Sequence, residues 1–139
     1  MRLLPAIAAL LLPLAAAAQP PTKPPANLPG AAVELNRLEP RAEGCRIWLA
    51  LRNPTPQPHD KLRLDLVLFG RDGVVARRMV VDAGQLPADK TMVRIFDTPG
   101  LPCEGIGTVL LNDIPSCGAA PCLAHFATAS RVPGVALER

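Results

Sequence analysis

Four cysteines and two histidines are the residues of this 139-residue chain whose types and spacing could do chemistry. Cys117, Cys122 and His125 read C-x4-C-x2-H, and Cys103 could add a fourth ligand to a tetrahedral ion. Structural zinc motifs favour two to four residues between paired cysteines, so this spacing is tolerable for zinc without being typical. A thiol–disulfide exchange pair wants C-x-x-C ahead of a helix, which the chain lacks. The third possibility is oxidation to disulfides, and an even cysteine count in a short exported chain favours it.

Other chemistries find little support. After the first eighteen residues serine occurs only at Ser116 and Ser130, neither in a nucleophile elbow. His59 lies between Pro58 and Asp60 and reads as a solvated loop residue. His125 shares a strand parity with Leu123, Ala127 and Ala129 and reads as a strand-face residue with a backbone partner. Asp65, Asp82, Asp89, Asp97 and Asp113 scatter over different segments. The Gly105-Ile106-Gly107 turn has no helix after it to cradle a phosphate. No catalytic constellation emerges, and the expectation is a non-enzymatic chain with no cofactor and no metal.

The elements that position these residues begin after an export signal. Met1-Arg2 is followed by an apolar run from Leu3 to Leu14 and by small residues Ala15 to Ala18. That order is a secretory signal peptide with cleavage after Ala18. The run is shorter than the roughly 20 apolar residues of a spanning helix and carries Pro5 and Pro13, so no stable membrane insertion is expected after cleavage. Removing residues 1–18 from 139 leaves 121, enough for one domain. The remaining 14 basic and 12 acidic residues are too nearly balanced to bind nucleic acid by counterion release. Few lysines among many alanines and prolines suit a GC-rich bacterial genome, which makes the expected location periplasmic or secreted.

Residues 19–31 form a proline-rich linker, residues 32–131 the folded domain and residues 132–139 a flexible tail. Within the domain, short apolar runs alternate with turn residues. Strands are expected over Val33–Leu38, Cys45–Asn53, Lys61–Phe69, Val74–Val81, Thr91–Thr98, Ile106–Ile114 and Leu123–Ser130. Leu62, Leu64, Leu66 and Leu68 oppose Arg63, Asp65, Val67 and Phe69, a period of two that no helix can turn into one apolar face. Asp72-Gly73 supplies the positive φ of a tight hairpin, and Pro54, Pro56 and Pro58 stiffen a crossover that cannot join a ladder. Seven short strands predict an all-β, immunoglobulin-like antiparallel sandwich with two disulfides.

If consecutive strands reverse direction, each cysteine falls at one end of the sandwich. Cys45 opens the second strand, and Cys103 precedes the sixth, at that same end. Cys117 and Cys122 lie together at the opposite end. Of the three possible connectivities, this selects Cys45–Cys103 with Cys117–Cys122.

The segment LDLVLFGRDGVVARRMVVDAGQLPADKT resembles small exported bacterial domains of the FxLYD type. Those carry an aromatic before an Asp-Gly hairpin and a Leu-Pro-x-x-Lys turn two strands later; here Phe69-Gly70 stands at the family's Tyr-Asp. The wider run VELNRLEP…GCRIWLALRN…GLPCEGIGTVLLNDIPSC is similar to uncharacterised alphaproteobacterial exported proteins, often labelled twin-arginine signal-domain proteins. Both resemblances imply a sandwich outside the cytoplasm and no particular activity.

Alternation also turns Trp48 away from the Cys45/Ile47/Leu49/Leu51 face. With Val93 and Ile95 pointing inward, Arg94 and Phe96 would join Trp48 on an outer face of the kind enriched at protein interfaces. The sequence therefore reads as an accessory or interaction domain of the bacterial envelope, with another envelope protein as its partner. The competing reading is a small ligand- or metal-binding protein using the Cys117–His125 hairpin.

Overall fold

Alternation in the two most regular segments becomes two strands that each turn one apolar face to the core. In β2 (Gly44–Asn53) Cys45, Ile47, Leu49 and Leu51 are buried while the residues between them are half-exposed or exposed. In β3 (His59–Phe69) all four leucines are fully enclosed on that face, and Asp65 and Val67 are buried on the other. The two apolar faces meet as the two halves of one core. The computed structural model describes residues 30–118 and 122–139; the expected signal, the linker up to residue 29 and the tip 119–121 lie outside the described residues.

The remaining strands are β1 (Ala31–Arg41), β4 (Val75–Leu86), β5 (Lys90–Pro99), β6 (Thr108–Ser116), β7 (Phe126–Ser130) and β8 (Ala136–Glu138), with 3-10 turns at Cys103–Gly105 and Leu123–His125. One four-stranded sheet runs β5-β2-β1-β7 and the other β4-β3-β6-β8. The all-β, two-sheet, two-disulfide expectation holds. The count does not: eight strands are described, not seven. The additional strand lies where a flexible tail was expected. Residues 136–138 dock beside β6, and burial of Val135 and Leu137 against the shared core holds them there. The seventh strand is also shorter than expected. His125 N–H donates to the Cys122 carbonyl, so Leu123–His125 closes into a 3-10 turn and His125 is not a strand-face residue.

Strand direction reverses at every connection, so pairs separated by an even number of steps run parallel. β1 with β7 and β6 with β8 are parallel, whereas the other four pairings are antiparallel. The sandwich is thus mixed at two of its edges. The same reversal places the cysteines as expected: Cys45 bonds to Cys103 and Cys117 to Cys122, and no free cysteine remains.

Buried polar groups fix the crossovers. Asn53 donates through Nδ2 to the Gln57 and Pro87 carbonyls, at 2.7 and 3.1 Å, and its Oδ1 accepts from the N–H and hydroxyl of Thr55. One amide thereby ties the proline crossover between β2 and β3 to the turn between β4 and β5. Thr98 Oγ1 donates to the Cys45 carbonyl beside the first disulfide. Gly44, at φ +152°, packs so closely beneath β5 that a Cβ would overlap the Thr98 carbonyl. The expected hairpin forms at Gly70–Val74, with Gly73 at φ +79° and the Asp72 carboxylate accepting from Val74 N–H.

Candidate functional site: the outer face at Trp48 and the cleft at His59 and His125

Trp48 points outward from β2, as alternation required, but its neighbours on β5 are not the expected ones. Cross-strand partners share a face, and β5 pairs with β2 so that Trp48 lies opposite Ile95 and Ala50 opposite Val93. Val93 and Ile95 are 50% and 45% exposed. Phe96 and Arg94 are turned to the inner side, Phe96 packing against the core and Arg94 donating from Nε to the Ala83 carbonyl of β4 at 2.6 Å. The expected trio of Trp48, Arg94 and Phe96 is therefore divided between two faces. The cause is register: Thr98 sits opposite buried Cys45 and is itself buried, so the even-numbered positions of β5 face inward.

The outer face that does form is an apolar strip with a charged border. Val93 and Ile95 lie on the edge strand, with Ala50 and Trp48 beside them on β2. The Trp48 indole N–H donates to Glu39 Oε2 at 2.9 Å, and the Arg37 guanidinium lies over the ring at 5.8 Å from its centroid. That indole bond, then the bond from Arg41 and the charges of Arg37 and Arg41, hold the Glu39 carboxyl below the usual range. Arg46 and Asp97 form a two-bond ion pair at 2.7 and 2.9 Å across the β2–β5 junction. The Arg46 bond likewise lowers the Asp97 carboxyl. Trp48 is thus fixed in place by charged partners, whereas Val93 and Ile95 present their side chains to solvent.

A second feature arises at the opposite kind of surface, an end of the sandwich. His59 opens β3, His125 closes the turn ahead of β7, and both line a cleft of about 580 Å³ with Thr55, Gln57, Ala127 and Arg139. The His59 ring lies tilted on Phe126, with centroids 5.0 Å apart. Burial, and then the nearby His125, pull the His59 imidazole below its ordinary pKa. Sequence spacing gives no hint of this pairing. Strand direction does: His59, His125 and Arg139 all fall at the end that carries Cys117 and Cys122.

No family model, curated protein or solved structure matches this chain. Its chemistry must be read from its own residues. The disulfides remove all four cysteines as thiolate ligands, and no group of three or more metal-ligating side chains occurs among the described residues. The carboxylates do structural work. Asp65, 3% exposed, accepts two bonds from Arg78 and one from Asn112; Asp82 accepts from Gly84 N–H, and Asp60 from Gln85. Ser130 Oγ bonds the Val135 carbonyl and accepts from Val132 N–H, shaping the turn into β8.

Proposed function

We propose that this chain is a non-enzymatic, immunoglobulin-like interaction domain of the bacterial envelope that docks another envelope protein on the outer face of the β5-β2-β1-β7 sheet. The observation that carries this reading is the exposure of Val93 and Ile95, side by side with Trp48, on a strand at the sheet's edge. Apolar side chains centred on a positioned aromatic and bordered by ion pairs are the composition of protein interfaces, where an aromatic anchor dominates and charges form the rim. Apart from the Val93 carbonyl, which accepts from Arg94 Nη1, an edge strand adds backbone donors and acceptors to the same surface. Two disulfides support a compartment that keeps thiols oxidised, in keeping with the signal-like residues 1–18.

The test places a photo-crosslinking side chain at position 95 in the exported protein and, for comparison, at Arg63 on the outer side of the other sheet. A discrete adduct from position 95 is expected, absent from position 63 and lost when Val93→Asp is added. Val93→Asp alone should unfold with the parent, since Val93 is exposed. Equal adducts from both positions, or none from position 95, would refute the docking face.

A further inference from the structure

We propose that the cleft at the disulfide-closed end of the sandwich binds a small carboxylate anion, held by His59, His125 and Arg139. Charge decides the ligand class. Three basic side chains line the cleft and no acidic side chain does. Of the acids on adjacent elements, Asp60 on β3 is bonded to Gln85, Glu34 on β1 is paired with Arg131, and Glu138 on β8 is exposed at the register position of Leu110, away from the core side occupied by Leu137. Two imidazoles alone would also suit a transition-metal ion, but a guanidinium on the same wall repels a cation and favours an anion.

The site is held in place before any ligand arrives. Arg139 Nη1 donates to the carbonyls of Leu123, Ala124 and Phe126, the last at 2.9 Å, so the guanidinium is anchored across the 3-10 turn. Those bonds use one nitrogen, and the planar fork of arginine has two more to offer a carboxylate. The disulfide between Cys117 and Cys122 closes the segment that leads into His125. His59 is fixed by its contact with Phe126. Ala124 and Ala127 leave room for a small apolar body beside the charge.

An anion between the two imidazoles offsets their mutual repulsion, so binding and protonation must reinforce one another. The probe is benzoate, followed through the histidine ring signals and the Arg139 side chain by NMR. At about pH 5.5 we expect saturable shifts of His59, His125 and Arg139 together, with affinity falling at least about tenfold by about pH 8 as the His59 imidazole loses its charge. His59 should titrate at higher pH when benzoate is present. His125→Gln, on an exposed residue, should weaken binding several-fold without altering the rest of the spectrum. Unsaturable shifts, shifts confined to other surfaces, or an affinity unchanged by His125→Gln would overturn the site. So would zinc binding at His59 and His125 with benzoate inert, which would make the cleft a cation site.

Discussion

Replacing Cys45 and Cys103 together by alanine tests whether chain entropy explains what the disulfides contribute. The bond joins residues 58 apart, and the other joins residues 5 apart. Closing a loop removes unfolded-state entropy as a constant plus a term in the logarithm of its length. This gives about 4 kcal/mol for the long loop and about 2 kcal/mol for the short one at room temperature. The constant cancels in the difference, leaving about 2 kcal/mol from the ratio of loop lengths alone. The cysteines of both bridges are buried in the core, so truncation adds a packing loss to each and the gap between them is left to loop length. Against a typical domain stability of about 5–15 kcal/mol, the first loss is large and the second is tolerable. Urea unfolding followed by Trp48 fluorescence reads both, because the indole leaves its Glu39 and Arg37 partners on unfolding. The slope should rise in the Cys45→Ala/Cys103→Ala protein, whose unfolded chain expands. If Cys117→Ala/Cys122→Ala costs as much as the long bridge or more, the loop-entropy reasoning is wrong.

Two further predictions concern features of the second sheet. Asp65 carries a carboxyl lowered first by the Arg78 bond and then by Asn112; its stabilisation is therefore present above the unfolded pKa and lost as pH falls through the lower folded value. Asp65→Asn should cost about 1–2 kcal/mol at neutral pH, with the gap from the parent closing in urea titrations below about pH 4; a gap independent of pH would show that the charge contributes nothing. Leu137→Ala, in the strand that replaces the expected tail, should cost about 2–3 kcal/mol for a buried leucine and accelerate amide exchange through β8 and the Val109–Leu110 segment paired with it. An unchanged melting midpoint would mean that β8 is dispensable.

What was legible in the sequence follows from what each inference required. Face alternation needs only neighbouring residues, and it placed Cys45, Ile47, Leu49, Leu51 and the four leucines of β3 correctly. Strand direction needs only a count of reversals, and it paired the cysteines. The β5 face needed register against β2, which residues 91–98 do not carry: Met92, Val93, Ile95 and Phe96 are apolar at both parities. Arg94 misleads further, because an arginine on an inner side is unexpected until its position at the open flank is known. There it reaches the Ala83 and Gln85 carbonyls of β4 and spans the two sheets. The terminal strand was illegible for a related reason. Three residues, Ala136 to Glu138, hold too little alternation to distinguish a strand from a tail, and only docking beside β6 defines them.

The treatment of the four sheet edges bears on why Val93 and Ile95 are exposed at all. A bare strand edge invites association with other chains, and proteins blunt such edges by shortness, charge or bulges. β7 and β8 are short, at 5 and 3 residues. β4 is long and exposes Val75 and Val80, but Arg77 and Arg78 interrupt it and its pairing with β3 slips at both ends. β5 has 10 residues, pairs with β2 without a register shift from end to end, and carries its two exposed aliphatic residues, Val93 and Ile95, at its middle. Its central charge, Arg94, is turned inward, where it bonds the β4 carbonyls and the Val93 carbonyl, and its side chain does not lie on the outer face. Three edges are blunted, and the fourth is regular and apolar on its outer side between Val93 and Ile95, next to the one tryptophan of the chain. An edge retained in that state is more economically explained by a partner that covers it than by tolerance of an aggregation hazard, and this is why position 95 is the place to look for that partner.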